Sequence, residues 1–395
     1  MFHRRPQALT QLSSGTSESL ARLAALEGFS RALLVGVVPL LALKTLGSKE
    51  AVAQVYFIAA LMTMLVTLNI GTLERLFERR RVVTLGGALL VVAALFLYLQ
   101  QSALLSFGIG LRSAAASIFS VCMSLYIMDY IGKRELTRNE SRRMQYAGIS
   151  WLIGPFLGTW LFDHAFSGSP FVLSATAAVI MLCYFWVLRL GTNKVVVRAQ
   201  SKAINPARSV VQFARQKKLR IAYGITLSRS CYWVALFVYG PIYVIESGLP
   251  SWMAGVLLSG VSTLLFFSPL IRRLADVAGV RRVIICGLII TATSLLCLGF
   301  IGEARPVGLV FWVLGAVGGV ALDVLGNIPF MRIVKPRERT PMTTVFSTWR
   351  EASELLTPLI VTATLLWFDF HYFYFILAAM HLMSALSASF LPRRL

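Results

Sequence analysis

Apolar residues run in long blocks along this chain, broken by short polar stretches. Each block reaches the roughly 20 residues that a helix needs to cross a bilayer. In lipid the backbone has to satisfy its own hydrogen bonds, so such blocks form helices rather than open strands. The pattern predicts twelve spans: 20–46, 52–73, 82–99, 103–131, 144–166, 171–190, 221–245, 252–271, 283–302, 307–334, 342–368 and 372–391.

Composition agrees with that reading. Of the 395 residues 57% are hydrophobic and 14% charged, with mean hydropathy +0.73. Soluble domains carry about 25% charged residues. The fold class expected is an all-α integral membrane protein of twelve transmembrane helices in two six-helix halves. The bilayer is its first partner.

The net charge of +21 could point to acidic macromolecules, but its distribution gives a simpler cause. Under this map 31 of the 38 Lys and Arg fall on one side of the membrane and only Lys44, Lys49 and Arg305 on the other. Short loops rich in Lys and Arg stay in the cytoplasm. Both termini and the middle of the chain are therefore expected on the cytoplasmic side of an inner membrane. No nucleic-acid partner is needed. The start of the chain is polar, without an apolar region and cleavage site ahead of the first span, so no removable leader is expected. The five cysteines lie in apolar runs without metal-like spacing, so neither a metal nor a cofactor is expected.

The stretch 189–220 holds nine Lys or Arg and no acid. It reads as a basic cytoplasmic linker, and its tail from Pro206 to Arg220 as a surface helix with Val210, Val211 and Phe213 against lipid. The chain thus divides into a tail (1–19), a six-helix half (20–190), the linker (191–220), a second half (221–391) and a short tail (392–395).

The halves repeat. A shift of 202 places Pro39 on Pro241, Glu74 on Asp276, and Arg79-Arg80 on Arg281-Arg282; a shift of 203 places Arg134-Glu135 on Arg337-Glu338 and Pro155 on Pro358. Charges inside the spans also recur. Glu27 and Arg31 lie in the first span, Arg112 in the fourth, Arg229 in the seventh, Asp323 in the tenth, and Arg350, Glu351 and Glu354 in the eleventh. An ionisable group at mid-membrane costs about 2.5–3.5 kcal/mol on insertion scales, so each needs a partner or a wet cavity. Spans 1, 4, 7 and 10 are expected to line that cavity. Glu27 with Arg31 and Arg350 with Glu354 are one turn apart and suited to pair along their own helices. The 202 shift sets Glu27 on Arg229, an acid and a base suited to meet across the cavity. Static ion pairs pinning helices together are the bland alternative.

At this point the chain resembles the major facilitator superfamily along essentially its whole length. Leu274-Ala275-Asp276-Val277-Ala278-Gly279-Val280-Arg281-Arg282 is similar to that family's cytoplasmic loop signature, with Arg272 in place of a leading Gly. The first-half copy, Gly71 to Arg80 with Glu74, Arg79 and Arg80, is a poorer match and lacks the internal Gly. The resemblance implies a gating-loop role for these residues, an acid near a helix N-terminus and arginines across the loop latching neighbouring helices. Arg112 stands where proton-coupled members keep an arginine, without the rest of that context. Gly154-Pro155-Phe156-Leu157-Gly158 is similar to a signature of the drug/proton antiporter branch, with Thr159 replacing its last Gly. Gly and Pro there permit close helix packing and a bend.

The function expected is secondary transport by alternating access, in a protein that is not an enzyme and works as a monomer. No phosphate loop of the G-x-x-x-x-G-K-S/T type occurs, so ATP is not the energy source expected. Aromatics on the cavity helices (Tyr126, Tyr223, Tyr232, Trp233, Tyr239), with Trp151 and Trp349 beside them, suit an amphipathic organic solute, exported. An organic anion held by Arg112 and Arg229, a lipid-like substrate, symport or uniport, and a non-transporting receptor or assembly protein are the alternatives. The protonatable groups expected are Glu27 and Asp323, with Glu351 and Glu354 behind them. Arg31, Arg112, Arg229 and Arg350 are the expected counter-charges, and Asn327 a further substrate candidate. A carboxylate that meets a guanidinium in one conformation only releases its proton there and regains it in the other, which couples proton and solute movement.

Overall fold

The computed structural model of the chain describes residues 7–130, 136–188, 206–334 and 338–392; within these, the side chains of 7–17, 68, 71–72, 74–75, 124–125, 127–145, 206–208, 339–341 and 344 are not described. The described residues are helical and contain no strand. Nine helical stretches among them are long and apolar enough to cross a membrane, and Tyr372–Ala388 is a shorter apolar helix.

The chain divides into two compact units. The first comprises Met1–Thr45 with Ile58–Gln200, the second Leu46–Phe57 with Ser201–Leu395.

The first unit is built from α1 (Gln7–Val35), most of α2 (Val37–Leu46), the greater part of α3 (Lys49–Leu76), α4 (Arg79–Tyr98), α5 (Ser102–Tyr130), α6 (Leu136–His164) and α7 (Ser169–Val187). Here α1 packs on α5, α6 and α7, while α4 packs on α5 and α7. The core between α4, α5 and α7 holds Val82, Ile118, Phe119, Cys122, Tyr126 and Phe185.

The second unit holds α8 (Pro206–Arg215), α9 (Lys217–Glu246), α10 (Trp252–Thr263), a 3₁₀ turn (Leu264–Phe267), α11 (Ser268–Ala278), α12 (Val280–Ile301), α13 (Gly308–Leu325), α14 (Ile328–Ile333), α15 (Arg339–Phe346), α16 (Trp349–Leu365) and α17 (Tyr372–Ala388). Its packing repeats that of the first: α9 on α13, α16 and α17, and α12 on α13 and α17. Helix bounds repeat as well. Arg79–Tyr98 displaced by 202 covers 281–300, against Val280–Ile301, and Ser169–Val187 displaced by 203 covers 372–390, against Tyr372–Ala388. The internal repeat read from prolines and arginines is thus a repeat of structure.

Four spans read as continuous are broken, and in three the cause is a proline. Proline has no N–H to give the carbonyl four residues back, and its ring crowds that carbonyl. Pro39 fails Val35, where α1 ends. Pro329 fails Leu325, where α13 ends. Pro269 fails Leu265, inside the 3₁₀ turn; the Ser268 hydroxyl donates to that carbonyl instead. The fourth break, at Ser347-Thr348 between α15 and α16, has no proline; there the Thr348 hydroxyl donates to Val345 O at 2.8 Å, competing with the backbone. α1 also starts at Gln7, earlier than the expected span.

Candidate functional site

Each unit contains a carboxylate, a guanidinium and an indole brought together inside its membrane helices. In the first, Arg31 Nε lies 2.5 Å from Glu27 Oε1, one turn back on α1. The Arg31 guanidinium stands 6.0 Å from the ring centre of Trp151 on α6. Arg112 on α5 donates to the Arg31 carbonyl at 2.9 Å. That carbonyl precedes the break forced by Pro39, so α5 supports α1 where its own ladder is about to fail.

Small residues let α6 approach this closely. A Cβ at Gly154 would meet the Ala32 Cβ at 2.5 Å, and one at Gly158 would collide with the Leu33 carbonyl oxygen. Pro155 lies within α6, and Thr159, in place of a third glycine, turns its hydroxyl back to Pro155 O at 2.9 Å. Ser150 adds a hydrogen bond to Ala25 O at 2.9 Å, and Ser30 with Ser174 ties α1 to α7.

In the second unit the carboxylate comes from a different helix. Arg229 Nε on α9 lies 3.2 Å from Asp323 Oδ1 on α13. The same guanidinium sits 4.6 Å from the ring centre of Trp349, the first residue of α16, with Arg350 on that ring at 5.6 Å. One charge pair therefore joins three helices, next to two of the breaks just described. The glycines of α13 make room: Gly315 and Gly319 lie against Tyr232 and Trp233, and Gly318 against Gly287 and Thr291 of α12. Ser230–Ser353 at 2.7 Å and Ser228–Ser384 at 2.6 Å hold α9 to α16 and α17.

The two pairs differ in which partner is hidden. The Glu27 side chain is 7% exposed and Arg31 30%; Arg229 is 5% exposed and Asp323 31%. The more exposed partner is thus the cation in the first pair and the anion in the second. Near Asp323, Asn327 sits in the turn after α13 with a buried amide oxygen that no donor among the described residues meets. The buried Trp233 indole N–H lies at the Asp323 carboxylate.

Other sequence candidates lie elsewhere. Tyr126 belongs to the α4/α5/α7 core, edge-on to Phe185 and 5.2 Å under Arg79. Tyr232 is wholly buried and donates to Trp312 O at 2.5 Å. Tyr239 packs on Phe370 and Phe373. Tyr223 bonds Thr348 across the α15/α16 break at 3.1 Å. Glu351 and Glu354 are partly buried on the first turns of α16. Within the first unit Glu27 pairs with Arg31, within the second Arg229 pairs with Asp323, and Arg350 lies on the Trp349 ring.

In the second loop the acid sits at the other end of its helix from the one expected. Asp276 is exposed in the last turn of α11, at a helix C-terminus. Gly279 takes φ +90° and turns the chain into α12. Arg281 donates to Ser389 O at 3.2 Å and Leu391 O at 3.0 Å, clasping the carbonyl end of α17 where a cation is favoured. Arg282 is exposed. Arg80 lies over Trp186 at 3.7 Å. The Glu74 side chain falls outside the described residues. Phe213, expected against lipid, is buried under α8. The indoles of Trp151 and Trp349, expected beside the cavity aromatics, lie against the Arg31 and Arg229 guanidiniums.

Comparison with known proteins follows the same architecture. No curated protein matches the chain by sequence. Several solved structures share the fold at identities that carry nothing further. A peptide transporter of the POT family in complex with sulfate superposes with TM-score 0.76 at 13% identity, over 96% of this chain and 97% of that one. The nucleoside transporter NupG gives 0.72 at 14%, over 94% and 98%. A D-xylose–proton symporter gives 0.70 at 14%, over 95% and 98%. A family model described as Major Facilitator Superfamily matches residues 20–268 and 258–394, together nearly the full length. The chain belongs to the Major Facilitator Superfamily, a family of membrane transporters rather than of enzymes.

Proposed function

We propose that this protein is a proton-coupled secondary transporter of a small amphipathic organic solute, working by alternating access in the inner membrane with both termini in the cytoplasm. The observation that carries the reading is the Arg229–Asp323 pair. It is placed between helices, so its state changes how α9 and α13 hold each other. Protonating Asp323 removes the charge that holds Arg229, and a solute cation or a helix movement that withdraws Arg229 changes the carboxylate's hold on its proton. Glu27 and Arg31 sit on one helix, so protonation there loosens α1 less directly and serves as a second, tuning site.

The partly exposed carboxylate, the unpartnered Asn327 oxygen and the indoles of Trp233 and Trp349 favour a solute with an apolar body and an N–H or ammonium group. The organic-anion reading loses ground because both arginines it needs are engaged, Arg112 with Arg31 O and Arg229 with Asp323. Export rests on the Gly154-Pro155-Phe156-Leu157-Gly158 stretch, similar to the drug/proton antiporter branch, and on its tight packing against α1.

The test is transport in proteoliposomes under an imposed pH gradient, with candidate solutes first chosen by ligand-induced thermal shift. Asp323→Asn should keep solute exchange between equal pools and lose accumulation against a gradient. Wild-type accumulation in both Asp323→Asn and Glu27→Gln, with unchanged pH dependence, would exclude the mechanism and leave a uniporter with structural ion pairs.

A further inference from the structure

The surface at the junction of α8 and α9 is built in an unusual way. α8 is tied down on one side only. Phe213 is buried with Leu219, Phe330, Val334, Met342 and Phe346. Gln212 and Gln216 donate to the two carboxylate oxygens of Glu338, at 3.0 and 3.1 Å. The opposite side carries Val210 and Val211, each 52% exposed. Around the turn at Gln216 follow Arg215, Lys217, Lys218 and Arg220, all exposed, in a segment from 206 to 220 with no acid of its own.

We infer that this face is a docking surface for anionic phospholipid headgroups of the leaflet at which α9 begins. Two observations select that occupant over an acidic protein. The cations cluster where a membrane-spanning helix emerges, since the span of α9 starts at Lys217. The valines share the outward side with them, which is the composition of a helix lying in the bilayer interface, apolar side chains down and cations at headgroup level. Glu338, the acid facing this surface from α15's start, is turned inward onto the two glutamines and does not compete for the cations.

The surface is also connected to the charge pair. The cluster under Phe213 has Tyr223 and Trp349 packed against it, and Trp349 lies under Arg229. Headgroups holding α8 in place therefore steady α15 and the indole that supports the Arg229–Asp323 pair. Lipid composition is predicted to set the working state of the site, whatever solute it carries.

The experiment uses the full chain with its five native cysteines replaced and a single cysteine at Val211, carrying an environment-sensitive fluorophore. The protein is reconstituted into vesicles of neutral phosphatidylcholine, or with a third of the lipid exchanged for phosphatidylglycerol, each with and without a nitroxide-labelled lipid. Quenching by the nitroxide should rise at least about twofold in the anionic vesicles. The rise should vanish in Lys217→Gln/Lys218→Gln, whose folding is checked by an unchanged unfolding midpoint in detergent. Equal quenching in both lipids, or quenching by aqueous iodide alone, would overturn the proposal. So would quenching by an added acidic peptide's label in place of the lipid's.

Discussion

Replacing Asp323 by Asn keeps the shape of the side chain and removes its charge, leaving the Arg229 side chain buried and unneutralised. At 3.2 Å and an effective dielectric near 20, the pair attracts by about 5 kcal/mol before desolvation is counted. Breaking a buried pair from one side costs about 3–5 kcal/mol. The Trp349 face, 4.6 Å from the guanidinium, still offers roughly 1–2 kcal/mol to the stranded cation, so the expected loss lies near the lower end, about 3 kcal/mol. Arg229→Met strands a carboxylate that is 31% exposed and can take a proton or water, so its loss should be smaller, about 2 kcal/mol. The double variant Arg229→Met/Asp323→Leu removes both charges and should recover most of the deficit. Equilibrium unfolding of the four proteins in mixed micelles gives the coupling energy, expected to be at least about 1.5 kcal/mol. Additive losses would mean that the two groups do not hold each other and would refute the reasoning.

Three further outcomes follow from the packing. Gly158→Ala drives a Cβ into the Leu33 carbonyl and should cost about 3 kcal/mol or more, whereas Gly260→Ala, with open space at its Cβ, should be neutral or slightly stabilising; detergent thermal melts compare them directly. Lys49 pairs with Glu246 at 2.8 Å and lies over Phe370 at 4.2 Å, so Lys49→Glu should lose about 1–2 kcal/mol, and adding Glu246→Lys should restore the ion pair but not the ring contact. Gly279→Ala forces a side chain onto φ +90° and should cost about 1–3 kcal/mol in the α11–α12 turn, read as faster proteolysis there, while Gly224→Ala, with its nearest neighbour at 4.0 Å, should not.

Helix positions were legible because lipid imposes one rule on every span: apolar side chains outside and basic residues at one set of ends. The repeat was legible because Pro39 and Pro241, and Pro155 and Pro358, recur at equivalent sequence positions, although Pro39 breaks its helix and Pro241 lies within α9. Breaks inside spans were legible in principle, since Pro39, Pro269 and Pro329 each name the carbonyl they abandon; the Ser347-Thr348 break was not, because a hydroxyl competing with the backbone looks like any other polar residue. The site was half legible. Intramembrane Glu27, Arg31, Arg112, Arg229 and Asp323 stand out by cost alone. Which of them meet depends on the facing of α9 against α13, set by Gly315 and Gly319, and single-chain spacing says nothing about that. Tyr126 and Tyr239 fell into cores for the same reason: a tyrosine on a cavity helix has a cavity side and a packing side, and their neighbours Phe185, Phe370 and Phe373 lie on the packing side.

The most direct test of the account is proton movement coupled to solute. Purified protein in vesicles with a trapped pH dye, challenged with a solute that raises its melting temperature, should move protons only when the solute is present. Asp323→Asn should bind the solute more weakly and, at saturating solute, move no protons. Solute crossing at the same rate with and without a pH gradient, in wild type and Asp323→Asn alike, would contradict the claim that the Arg229–Asp323 pair is the proton switch.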